Sequence, residues 1–237
     1  GATLSGNATV YGNIYNTGTL APGNSIGTIN TTDLILGSTS VYEVEINSAG
    51  NSDLIDATGV AVIDGGVVAI PLDLNYTEAL TYTIIHAEDG VSGAFNSLTS
   101  TVPALMSVIY DPLDVRLRFL PISAIGLSEN ALAAADCFVT ISALPGTDAA
   151  LINTALLDLS FAGIDAAFNQ MSPAQLSAVS QVQLLDAALV RTTYTKRLMD
   201  INLNRNPCCE PEIAIWSDLV GQYQKQQKSN HLFGYND

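Results

Sequence analysis

The first half of the chain alternates apolar and polar residues with a period of two, in short runs. In Val41 to Ile46, the residues Tyr42, Val44 and Ile46 fall on one face and Glu43 and Glu45 on the other. In Asp114 to Phe119, the inward set is Val115, Leu117 and Phe119. Both patterns predict half-buried strands. Thr81 to Ala87 and Gly66 to Leu72 are denser in β-branched residues and predict strands covered on both faces. Between these runs lie turn formers: Ser5-Gly6-Asn7, Tyr11-Gly12-Asn13, Ala21-Pro22-Gly23-Asn24, Ser48-Ala49-Gly50-Asn51 and Asp64-Gly65-Gly66.

Strands spaced about 8–12 residues apart fit a sandwich, a barrel or a solenoid, and no helical pattern interrupts them as βαβ units require. Two features favour a solenoid. The phrase Gly6 to Gly12 (GNATVYG) is echoed by Thr58 to Gly66 (TGVAVIDGG), and Asn and Thr recur at the turns as stacked coils demand. Coils of roughly 20–25 residues predict about five of them before Pro121, stacked into a rod about 24 Å long.

After Pro121 the spacing becomes helical and Ala-rich. Ser128 and Glu129 predict a helix start, running to about Leu144 before Pro145-Gly146. Thr147-Asp148 opens a second helix to about Leu159, and a third covers about Ala162 to Gln170. Ser172-Pro173-Ala174-Gln175 combines a cap, a proline at the first helical position and a capping-box Gln. It predicts a long helix to about Ile201, with Leu176, Val179, Val182, Leu185 and Leu189 on one side and Arg191, Lys196 and Arg197 near its end.

Composition narrows the function. The 237 residues are 48% hydrophobic but only 13% charged, and the net charge is −15. Before Pro121, two arginines (Arg116 and Arg118) stand against twelve carboxylates. Nucleic acid is bound through Lys and Arg, so it is excluded as a partner, and an anionic lipid surface is disfavoured. The three cysteines, Cys137, Cys208 and Cys209, form no C-x-x-C, and His86 and His231 are distant in sequence, so no zinc pattern exists. Cys208 and Cys209 are either free thiols or cross-links between neighbouring molecules. No run of about 18 apolar residues predicts a membrane helix. Gly1 in place of an initiator Met predicts a processed N-terminus.

Two catalytic signals are read against. Gly23 to Gly27 fits G-x-S-x-G, but the segment after it is strand-like, whereas a nucleophile elbow needs a helix there. The nearby histidine, His86, lies inside a strand pattern. The carboxylates Asp53, Asp56 and Asp64 are spread over turns with no Lys or Arg before Arg116 to steady an anionic substrate. Calcium at Asp53 and Asp56 lacks the nonapeptide GGxGxD ladder. No catalytic, cofactor-binding or metal residue is therefore assigned, and no small-molecule substrate is expected.

Four phrases before Pro121 and three after it carry a family resemblance, in order along the chain. Leu20 to Ile29 (LAPGNSIGTI) resembles the PGNSIGTL-type repeat of autotransporter passengers, and Gly37 to Ile46 (GSTSVYEVEI) resembles that family's strand. Asn51 to Ile55 (NSDLI) is similar to its following turn, and Tyr82 to Ile85 (YTII) to its next strand. Phe168 to Leu176 (FNQMSPAQL) resembles a step in autotransporter linkers, most like those of chlamydia-like bacteria. Tyr194 to Asn204 is similar to the helix end before the first barrel strand, and Ile215 to Tyr223, with Trp216, to that strand.

The resemblance implies a mainly β chain in three parts. Residues 1–120 form a right-handed parallel β-helix, the passenger stem. Residues 121–204 form a helical linker, and residues 205–237 begin a truncated β-barrel, since about twelve strands would need far more chain. The implied role is non-enzymatic type V secretion. The stem supports passenger folding as an autochaperone, displayed at the bacterial cell surface and held in the outer membrane through a C-terminal barrel. Residues Tyr82 to Phe119 are the expected nucleus. The alternative is an adhesin-like module for a host-surface ligand, and a β-helix polysaccharide enzyme ranks behind both.

Overall fold

The computed structural model describes residues 1–140, 147–172, 191–196 and 199. The chain divides into two compact units, Gly1–Met171 and Ser172–Asp237. Within the second unit, residues 191–196 and Met199 are helical. Ser172, expected to cap a long helix there, is a bend. The remaining positions of that helix, 173–190, 197, 198, 200 and 201, lie outside the described residues, as do Cys208, Cys209, Trp216 and the expected barrel strand.

The first unit is mainly β with parallel sheets, and its strands come in threes. The first set is β1 (Thr3–Ser5), β2 (Ala8–Thr9) and β3 (Ile14–Asn16). Next are β4 (Thr19–Ala21), β5 (Thr28–Thr31) and β6 (Leu34–Leu36), then β7 (Val41–Ile46), β8 (Leu54–Ala57) and β9 (Val60–Ile63). A fourth set is β10 (Gly66–Pro71), β11 (Leu80–Ala87) and β12 (Gly90–Gly93). From β1 to β10 each strand pairs in parallel with the one three places on, giving the parallel runs β1-β4-β7-β10-β13, β2-β5-β8-β11 and β3-β6-β9-β12, where β13 is Ser97–Ser100. A chain that returns to the same sheet after every third strand is compatible with a solenoid, in which each set of three strands is one coil.

Period-two alternation then puts like residues above one another. Leu20, Tyr42, Val67 and Leu98 are in register on one sheet, and Ile29, Ile55 and Ile85 on another. All of these are buried. A side chain inside such a column removes apolar surface from water twice, against the coil below and the coil above, at about 25 cal/mol per Å². The expected inward sets Tyr42, Val44, Ile46 and Val115, Leu117, Phe119 are all fully buried. The two strands expected to be covered on both faces are not. Thr81 and Thr83 of β11 are exposed, and Val68 and Ile70 of β10 are half-buried. Their β-branched residues suit a pleated surface with one wet face as well as a fully buried one.

The stack ends in a different geometry from its body. After β13, strands β14 (Ala104–Tyr110) and β15 (Asp114–Pro121) form an antiparallel hairpin, and β15 pairs antiparallel with β11. A bulge at Ile84 of β11 shifts the register between Thr83 and Ile85. The extra residue lets Ile84 and Ile85, adjacent in sequence, both be buried. Tyr76 packs on Phe119 of β15 at 5.6 Å between ring centroids, and Tyr76 and Tyr82 hydroxyls lie 3.0 Å apart.

Helices close this end. The short α1 (Ile122–Ile125) follows β15 directly, and α2 (Glu129–Phe138), α3 (Asp148–Leu157) and α4 (Phe161–Met171) pack beyond it. The change from strands to helices at Pro121 falls inside the first compact unit. Arg118 of β15 reaches α3, bonding the Leu157 carbonyl at 2.9 Å and Asp158 at 2.8 Å. Thr147 caps α3, its hydroxyl accepting the Ala150 N–H, as expected. Ser128 stands at the N-cap position of α2 without capping it. Its N–H and hydroxyl both donate to Asp165 of α4, at 2.7 and 2.8 Å. The α2 helix ends at Phe138, short of the expected Leu144, and α4 takes the place of the third expected helix.

Candidate functional site

The LAPGNSIGTI segment forms a corner between β4 and β5. Gly23 adopts φ +81°, which an L side chain rarely takes, and a Cβ there would run into the Ser25 carbonyl oxygen. The corner is tied to coils on both sides. Asn7, from the preceding coil, accepts the Thr28 N–H at 2.8 Å. Asp53, from the following coil, accepts the Gly27 N–H at 2.8 Å with one oxygen and the Glu45 N–H at 2.8 Å with the other. The Gly27 carbonyl in turn accepts the Leu54 N–H at 3.0 Å. One corner thus joins three coils.

Other corners repeat the device. Asp33 accepts the Val60 N–H at 3.0 Å, and the Thr31 hydroxyl donates to the Gly12 carbonyl at 2.8 Å. Asp73 accepts the Ser48 N–H at 3.2 Å. Corner backbone leaves the ladder and must find partners elsewhere. Short polar side chains of the adjoining coil supply them, which explains why Asn, Asp, Ser and Thr crowd these turns.

Asp53 is the most perturbed of these groups. It is 1% exposed. Burial pushes its carboxyl up to about 6, against the pull of the Glu45 and Gly27 N–H groups, and the Glu45 carboxylate adds to the rise. Its two oxygens face backbone donors, so it is a fastening between coils and offers no free lone pair towards solvent. Asp56, the other half of the calcium pair weighed from sequence, sits on β8 in register with His86. Among the described residues no group of three or more His, Cys, Asp or Glu side chains could hold a metal ion.

Ser25, the serine of the G-x-S-x-G phrase, is exposed on the corner, and the chain after it enters β5, a strand. His86 belongs to β11 and pairs with Asp114 of β15, Nδ1 to Oδ1 at 2.8 Å. The bond to Asp114 raises the imidazole pKa, with the charges of Asp114, Asp56 and Glu88 acting in the same direction. Cys137 on α2 is an exposed free thiol.

A surface feature that the sequence reading passed over lies on the third sheet. Tyr15, Ile35 and Val62 are in register on its outer side, with Val60 beside them and Tyr11 just before β3. Tyr11, Tyr15, Val60 and Val62 are exposed. Strict alternation with the buried Leu34, Ala61 and Ile63 was the signal for it. No protein-family model and no curated protein matches the chain.

Proposed function

We propose that the chain is the C-terminal passenger stem and transport linker of an outer-membrane autotransporter, with its stem a right-handed parallel β-helix. One observation carries this reading. The phrase that most resembles the family's repeat, Leu20 to Ile29, is the corner at which Asn7, Gly27 and Asp53 join three coils. Motif and load fall on the same residues.

In this reading the stem acts by folding and does not catalyse a reaction. A completed coil presents edges on three sheets, and the next coil folds by satisfying them, so growth is sequential. At the helical end the β14–β15 hairpin pairs strands adjacent in sequence, which closes a short loop and makes it the natural nucleus on which β11 docks. Residues 121–204 then connect the stem to the membrane, and residues 205–237 begin the barrel. Deleting Thr81 to Phe119 from the full-length protein is expected to abolish or sharply reduce surface display. Normal display of that deletion would overturn the proposal.

The outward row of exposed Tyr15, half-buried Ile35 and exposed Val62 favours a second reading, an adhesin-like module for a host-surface ligand. Contiguous exposed apolar residues on a flat sheet mark interaction surfaces. Loss of host-cell attachment on changing Tyr15 and Val62 to Ser, with display intact, would support this reading over a purely structural stem.

A further inference from the structure

At the helical end of the stack the three sheets finish unequally. The second sheet is closed by β15, which pairs with β11. The third is closed at β12, where Val91 donates its N–H to the Pro112 carbonyl at 2.9 Å. The first sheet ends at β13, and no described strand pairs with its outer side. Thr101 gives its N–H to the Ala69 carbonyl of β10 at 3.1 Å. Backbone groups alternate along a strand, so the N–H of the preceding residue, Ser100, faces the open side.

A cavity of about 400 Å³ lies beside this edge, within the size range of ligand pockets. Its walls are β13 and the 101–103 loop, Ala104 and Met106 of β14, Val139 and Thr140 after α2, and Asn153 of α3. Every lining side chain is neutral, and most are hydroxyl-bearing or aliphatic. Asn153 is 5% exposed, yet its Oδ1 has no hydrogen-bond partner. An orphaned amide at that depth is costly and calls for a donor.

We propose that this edge and cavity form a docking groove for one extended peptide strand, added in trans to β13. The two observations are independent and ask for the same thing. The open edge offers alternating backbone donors and acceptors, which is how an extended peptide is captured on a sheet edge. Asn153 offers an acceptor for a further N–H. Neutral walls select small or aliphatic side chains, and the position opposite Leu98 continues the inward column Leu20, Tyr42, Val67, Leu98.

The probe is a capped peptide copying β10, the strand β13 already pairs with, as Gly-Val-Val-Ala-Ile-Pro between two lysines, at about 150 mM salt to screen its charge. Amide hydrogen exchange on the full chain is read without peptide and at up to 1 mM peptide. The Ser100 amide should exchange freely without peptide and become protected with it. The same peptide N-methylated on alternate residues keeps its charge and side chains and should bind at least tenfold more weakly. Asn153→Leu should also weaken binding while the unfolding transition is retained. Three results would overturn the proposal: a Ser100 amide already protected in the peptide-free chain, no binding at 1 mM, or equal binding of the N-methylated peptide. The N-methylated comparison decides the question even where Asn153→Leu fails to fold.

Discussion

Asp53 Oδ1 lies 2.8 Å from the backbone nitrogen of Gly27, across the boundary between two coils, in a residue that is 1% exposed. A corner of one coil is held by an acid of the next. This arrangement makes the stack sensitive to a single ionisation.

Burial raises the Asp53 carboxyl from its ordinary 3.8 to about 6. The folded chain therefore holds that proton more tightly than the unfolded chain does. The resulting stabilisation is complete below about pH 4 and is lost as pH rises through about 6. Two units correspond to about 3 kcal/mol. Urea unfolding at pH 4, 5, 6 and 7 should show this fall in the natural chain, and Asp53→Asn should flatten it. Parallel pH profiles for the two proteins would rule out Asp53 as the titrating group.

Gly23 and Gly50 both have positive φ, at +81° and +86°, but differ in their surroundings. A Cβ on Gly23 meets the Ser25 carbonyl and the Gly27 backbone, whereas one on Gly50 meets nothing within 4 Å. Gly50→Ala carries only the left-handed backbone cost, about 1–2 kcal/mol. Gly23→Ala adds a backbone clash at the corner and should cost about 1–3 kcal/mol more. Thermal unfolding of the two variants measures the difference, and equal losses would contradict the corner geometry.

The body of the stack was legible because coil packing writes itself into period-two patterning. Tyr42, Val44, Ile46, Val115, Leu117 and Phe119 are inward as their spacing requires. The antiparallel end was not legible. Asp114 to Phe119 alternates identically whether its partner runs parallel or antiparallel, so direction leaves no mark in the pattern. The bulge at Ile84 was hidden for a related reason: Thr83 to Ile85 reads as a β-branched run, and only the register with β15 reveals the extra residue. Asp53 looked like one more turn acid, because its partners Gly27 and Glu45 are distant or offset in sequence and are joined only by coil stacking. Ser128 carried a true helix-start signal, but its side chain serves Asp165 on another helix.

Tyr42 is fully buried, and its hydroxyl donates to the Ile84 carbonyl at 2.8 Å, across 42 residues of sequence. Ile84 is the bulge residue, so this bond supplies a partner that the disrupted ladder does not. Tyr42→Phe keeps the ring in the column and removes only the donor. The cost should be about 1–3 kcal/mol, that of leaving a buried carbonyl unsatisfied. Denaturant unfolding gives the value, and hydrogen exchange should quicken first in β11. An unchanged midpoint would show that the carbonyl has another donor.

His86 and Asp114 join the last parallel pairing of the second sheet to its antiparallel end, in a half-exposed ion pair at 2.8 Å. Asp56 faces His86 from β8, Asp114 faces it from β15, and Glu88 follows it on the same strand. All three acids favour the imidazolium, so its pKa in the folded chain lies above the ordinary 6.5. The sign is opposite to that of Asp53 in chemistry but alike in consequence. The stabilisation is complete below about pH 6.5 and disappears as pH rises through the folded value. Exposure keeps it small, within the ~1 kcal/mol typical of surface pairs. An NMR titration of the His86 ring should give a midpoint above that of a free imidazole, and Asp114→Asn should lower it. A midpoint unmoved by Asp114→Asn would detach the shift from this pair. One that still lies above 6.5 after the change would assign it to Asp56 and Glu88.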